Sequence, residues 1–95
     1  MMLLGKNILS KFISKHTDAE GPVQAWAKEV ESSNWTCPAD IKARYPSASI
    51  INKLKVVFNI KGNTYRLLAS VNYPLKLVVA LKLGTHAEYS KWDIR

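Results

Sequence analysis

KLKVVFNIKGNTYRLLASVNYPLKLVVALKL, residues 53–83, decides the fold. Its opening, Lys53–Ile60, alternates in polarity and is rich in β-branched side chains, the pattern of a half-buried strand. Lys61-Gly62-Asn63 reads as a turn, with Gly62 and Asn63 suited to positive φ. Thr64–Val71 is the return strand, Asn72-Tyr73-Pro74 a second turn, and Lys76–Leu83 a third strand. Strands joined by such short turns form an antiparallel meander.

The pleat sorts these residues onto two faces. One face collects Leu54, Val56, Phe58 and Ile60, then Tyr65, Leu67, Ala69 and Val71, then Leu77, Val79, Leu81 and Leu83. The other collects Lys53, Lys55, Asn59, Thr64, Arg66, Ser70, Lys76 and Lys82, beside Val57, Leu68, Val78 and Ala80. The apolar face needs a cover, and the first half of the chain supplies it. Leu4, Ile8, Leu9, Phe12 and Ile13 make one helical stripe over residues 4–15; Val23, Trp26, Ala27 and Val30 make a second, with Pro22 in its first turn. A short helix over Ala39–Arg44 is stopped at Tyr45-Pro46. Helices followed by a meander predict an α+β domain, N-terminal helices packed on an antiparallel sheet, spanning residues 1–95 as one unit.

Composition agrees with a globular chain: 47% of its 95 residues are hydrophobic and 22% charged. MMLLGKNILSKF carries Lys6 and Lys11 inside its apolar pattern and lacks the uncharged run of a signal peptide or membrane span. Cys37 is the only cysteine, so neither a disulfide framework nor a cysteine metal pair is available. The expectation is a cytoplasmic protein without cofactor, metal site or membrane contact. There is no Walker loop, HExxH or CxxC.

The net charge of +7 is unevenly placed. Residues 1–50 hold six Lys/Arg against five Asp/Glu; residues 51–95 hold eight against two. A polyanionic partner at the second half would account for this, as would a merely solubilising surface. The faces favour the former, because Lys55, Arg66 and Lys82 converge on one side of the sheet with almost no acidic partner. Arg offers bidentate donors to phosphate and Lys a mobile point charge. Lys53, Lys61 and Lys76 lie nearer strand ends or turns and read as general electrostatics; with Lys91 they extend the same positive field toward a polyanion such as RNA.

The stretch after the last strand, GTHAEYSKWDIR (84–95), places His86 and Tyr89 three residues apart, on one face of a helical turn. Thr85 with Glu88 has the spacing of a capping box that would hold that turn. Histidine suits general acid–base work, and tyrosine can transfer a proton or stack a base. Such a pair near a chain end is more often packing. Trp26 and Trp35 read as core, Trp92 as closing the C-terminal segment onto the domain, and His16 as the end of a helix, where a cation is favoured.

DIKARYPSASI (40–50) followed by KVVFNIKGNTYRLLASVNYPLKLVVALKLGTHAEYSKWD (55–93) resembles the HigB branch of the RelE-like toxins of bacterial type II toxin–antitoxin modules, with VFNIKGNTYRL and GTHAEY the most specific parts. The resemblance implies a RelE-like fold with a short C-terminal helical turn. It implies a ribosome-dependent endoribonuclease, an mRNA interferase in which the substrate 2′-OH attacks the adjacent phosphate without a metal. It also implies neutralisation by a HigA-type antitoxin, with DNA reached only indirectly through that partner. On matching positions His86 and Tyr89 are the acid, base or stacking residues, Arg66 stabilises charge on the scissile phosphate, and Lys55 assists. Members of the family carry an Arg in the last strand about one residue before Lys82, where this chain has Leu81. A one-residue shift changes faces, so Lys82 replaces that Arg only in a bulged or re-registered strand. Two other readings fit the same residues: a non-catalytic basic RNA- or ribosome-binding module, and a basic face that docks an acidic polypeptide.

Overall fold

The computed structural model describes residues 1–94; Arg95, counted above among the cations, lies outside the described residues. The chain runs β1 (Met2–Leu4), α1 (Lys6–Lys15), a 3₁₀ turn (Thr17–Ala19), α2 (Glu20–Ser32), α3 (Pro38–Arg44), β2 (Ser49–Ile50), β3 (Lys55–Ile60), β4 (Tyr65–Asn72), β5 (Leu77–Thr85) and α4 (His86–Tyr89). The described strands form one sheet in the order β1-β5-β4-β3-β2. The α+β architecture and the meander are as the sequence predicts.

The sheet is mixed, however, and not purely antiparallel. β1 pairs in parallel with β5, Met2 opposite Leu77 and Leu4 opposite Val79. Leu4 was expected to begin the first helical stripe; it is instead an exposed residue of an edge strand, while Leu3 points into the core. Gly5 separates strand from helix with φ 87°, a left-handed conformation that glycine tolerates. A Cβ at Gly5 would overlap the carbonyl oxygen of Ala80, so the missing side chain also lets the joint lie flat on β5.

α1 buries Leu9 and Phe12, and α2 buries Val23, Trp26 and Val30. Phe58 of β3 is fully buried among Trp26, Trp35 and Tyr45, whose ring centroids lie 5.3, 6.2 and 5.3 Å away. Burying one such side chain contributes about 1.5–3 kcal/mol, so this aromatic knot anchors α2 and the end of α3 to β3.

β3 begins two residues later than expected. The Asn52 side-chain oxygen accepts from the backbone N–H groups of Leu54 and Lys55 at 2.8 and 3.0 Å, bending the chain before the ladder starts. Lys53 and Leu54 lie in that bend, and Leu54 is 60% exposed rather than in the core. In the β3–β4 hairpin Lys61 and Gly62 take positive φ, not Gly62 and Asn63.

The largest correction concerns β5. Leu68 pairs with Lys82, but Ala69 pairs with Ala80, so Leu81 is an extra residue in a β-bulge. The bulge shifts the pleat by one. Before it, Val78 and Ala80 are buried under the helices, and Leu77 and Val79 turn to the opposite side; after it, Leu83 returns to the helical side. The expectation that Leu77, Val79 and Leu81 share the apolar face is therefore overturned.

Candidate active face

β4 is the axis of the open face. Arg66 lies between Asn59 of β3 and Gly84 of β5, Leu68 between Val57 and Lys82, and Ser70 between Lys55 and Val79. The bulge at Leu81 is what brings Lys82 onto this face beside Arg66. Val57 and Leu68 are buried although they point away from the helices. The C-terminal segment lies over that side of the sheet: Trp92 packs on Gly84 and Lys82, and Ile51 lines a depression together with Tyr89, Trp92 and Ile94.

The predicted capping box is present. Thr85 Oγ1 accepts from the backbone N–H of Glu88 at 3.2 Å, and a Glu88 carboxylate oxygen accepts from the backbone N–H of Thr85 at 2.9 Å. That second bond is the main reason the Glu88 carboxyl is held below its usual range. The box starts α4 directly at the strand exit and fixes where the next four side chains go.

Those side chains form a chain of cations and rings. The Arg66 guanidinium carbon lies 5.5 Å from the centre of the Tyr89 ring. Tyr89 meets His86 edge-on at 6.4 Å and Trp92 edge-on at 5.6 Å. The Lys82 ammonium lies 5.7 Å from the centre of the Trp92 ring. Both cation distances are within the reach of a cation–π contact. Arg66 is further steadied by Nη1, which donates to the Asn63 carbonyl at 2.7 Å. Gly84 makes room: a Cβ there would stand 2.8 Å from a Trp92 ring carbon.

Of the residues singled out in the sequence, His86, Tyr89, Arg66 and Lys82 come together around α4. Lys55 shares their face but pairs with Ser70, four residues along β4 from Arg66, or ~13 Å at strand spacing. Lys53 is exposed in the bend before β3, and Lys91 is exposed just after α4. Lys61 sits in the hairpin turn and forms an ion pair with Asp18 at 2.7 Å on the helical side. Asp18 also accepts from the Tyr65 hydroxyl at 2.8 Å, and these two partners, Lys61 foremost, hold its carboxyl below the usual range. Lys76 lies in the β4–β5 turn, and its ammonium donates to the Trp35 carbonyl at 3.2 Å. Trp92 and Gly84 were absent from the candidate set, although Trp92 stands three residues after Tyr89, the spacing already noted for His86 and Tyr89. Among the described residues there is no group of three His, Cys, Asp or Glu that could hold a metal ion.

A small α+β domain with one basic face, finished by a capped turn bearing His and Tyr, defines the class. The chain belongs to the HigB toxin family: the model of that family, described as the RelE-like toxic component of a toxin–antitoxin system, matches residues 19–92, which is 74 of the 95. No curated protein matches the chain. Membership makes it a toxin of such a system and implies an antitoxin as its partner. Among the described residues no helix is long and apolar enough to cross a membrane.

Proposed function

We propose that this toxin is a ribosome-dependent mRNA endonuclease whose reacting groups are those gathered at α4. The observation that supports it best is the Arg66 guanidinium stacked 5.5 Å from Tyr89, with the exposed His86 beside the same ring. A cation, a proton-transferring imidazole and a ring of base-stacking size are the components that metal-independent RNA cleavage requires.

In this reading the substrate 2′-oxygen attacks the adjacent phosphorus and the bond from phosphorus to the 5′-oxygen breaks, leaving a 2′,3′-cyclic phosphate and a 5′-hydroxyl. One proton leaves the 2′-OH and another reaches the departing 5′-oxygen. His86 handles one of these transfers. Tyr89 either handles the other or stacks the base that flanks the scissile bond. Arg66 and Lys82 offset charge developing on the phosphate oxygens, and Lys55 steers the strand from farther along the face.

The test is cleavage of a defined message by purified chain in the presence of translating ribosomes, mapped by primer extension. His86→Ala and Arg66→Ala are expected to reduce the cleavage rate by ~10²-fold or more while thermal unfolding stays unchanged. If the chain binds ribosomes in a salt-sensitive manner yet cuts nothing, the non-catalytic RNA-binding reading replaces this one.

A further inference from the structure

Away from the open face, α1 and α4 enclose a crevice of about 230 Å³. Its floor is apolar, made by Ile8, Phe12 and Leu83. Its rim carries Lys11, Lys15 and His16, with Glu88 at the α4 side. His16 lays its ring on Phe12, centroids 4.4 Å apart and planes 23° apart. Lys11 and Lys15 are exposed, one helical turn apart, and among the described residues neither makes an ion pair. Glu88 is held by Thr85 through the capping box, and its carboxylate is also attracted by His16 and Lys15 across the crevice.

We infer that this crevice is a second contact for single-stranded RNA, continuous around α4 with the His86–Tyr89 face. Lysines at i and i+4 have Cβ atoms about 5–6 Å apart and both project outward, so each can meet a phosphate of one extended strand. The apolar floor with its His16–Phe12 stack offers a base a platform. A stacking platform beside a cationic rim is the arrangement that sequence-tolerant single-strand binders use. Continuity favours RNA over an acidic polypeptide: α4 separates the two sites by its own four residues, so a strand leaving Tyr89 reaches this crevice next. The inference rests on the reading that RNA is the substrate. It assigns a role to lysines of α1, which lies outside the matched residues 19–92 and in the charge-balanced half of the chain.

Fluorescence anisotropy of the full chain with a labelled oligouridylate, from about 50 to about 200 mM salt, tests it. Lys11→Ala/Lys15→Ala is expected to flatten the slope of log affinity against log salt by ~1.4, two contacts at ~0.7 each for a single strand. Near 0.1 M salt that corresponds to a roughly 10–30-fold loss of affinity. Lys6→Ala on α1 with Lys28→Ala on α2 removes the same charge from the groove between those helices, away from this crevice, and should leave the slope within ~0.3 of the parent. A parent without salt-dependent binding, a double variant with the parent's slope, or equal losses in both double variants overturns the inference. So does loss of antitoxin binding with RNA binding intact, which would make the crevice a protein dock. The ribosome cleavage assay separates the two ideas. Message cut normally with an unchanged slope removes the crevice alone; a flattened slope in a chain that never cuts removes the nuclease alone.

Discussion

Gly84→Ala is the sharpest probe of how the active face is built. Gly84 has no left-handed backbone to preserve, so alanine brings no conformational penalty and restricts the unfolded chain, a gain of about 0.4–1 kcal/mol. Against that, the new Cβ would stand 2.8 Å from a Trp92 ring carbon and 3.2 Å from the Glu88 Cβ, where ordinary carbon contacts lie near ~3.5–4.0 Å. Overpacking of this kind costs about 1–3 kcal/mol. Because Trp92 is half-buried and its segment can yield, the lower end, ~1 kcal/mol, applies, and after the backbone gain the net destabilisation is ~0–0.6 kcal/mol. For a chain of this size that lowers Tm by at most about 2–5 °C. In a Trp92→Ala background the nearer clash is gone, and the same substitution should be neutral or slightly stabilising. Urea unfolding of the parent, both single variants and the double variant yields the coupling, expected at ~1 kcal/mol. Additivity within ~0.3 kcal/mol would refute the placement of Trp92 on Gly84 and, with it, the account of what covers the open face.

Gly5→Ala combines a left-handed φ, ~1–2 kcal/mol, with overlap onto a backbone oxygen, another ~1–3 kcal/mol, so thermal unfolding should show a loss of about 2–5 kcal/mol. Tyr89→Phe keeps the ring and removes the hydroxyl: near-parent cleavage assigns stacking, and a loss of ~10²-fold or more assigns proton transfer. Asp18→Asn has a signed pH signature. The folded carboxyl titrates below its unfolded value, so it stabilises the fold above about pH 4 and that contribution fades as pH falls through the folded pKa. The Tm difference between parent and variant should therefore be present at neutral pH and close in acid; a difference that widens in acid contradicts the Lys61–Asp18–Tyr65 arrangement.

Local chemistry in the sequence was a reliable guide to structure. The Thr85–Glu88 box, α2 with its Val23-Trp26-Val30 stripe and the β3–β4 hairpin all formed where their side chains specify them. What escaped depended on distant partners or on phase. β1 is a strand because β5, more than seventy residues later, offers it a parallel edge, and nothing within MMLLG announces that. The bulge was hidden because Leu77 through Leu81 are all apolar, so either pleat phase looks plausible. Arg66 and Lys82 were placed on one face from alternation alone, yet for Lys82 the outcome depends on an irregularity that alternation cannot reveal. Leu54 failed for a nearer reason, since the Asn52 side chain claims the backbone that would have begun the strand. Trp92 was read as closing the C-terminal segment onto the domain, which it does, but its contact with Lys82 required the folded chain.

The extra residue at Leu81 also governs how β5 tolerates change. Upstream of it the even positions, Val78 and Ala80, answer to the helices; downstream the odd position Leu83 does. A saturation scan of β5 should thus reverse parity at residue 81, with polar replacements rejected at 78, 80 and 83 and accepted at 79 and 82. Deleting Leu81 would put the two halves back in step. That single-codon loss would leave Ala80 opposite Ala69 and Lys82 opposite Leu68 in an unbroken ladder, so it should harm the toxin less than loss of any neighbouring residue, which would move Lys82 off the active face or Ala80 out of the core.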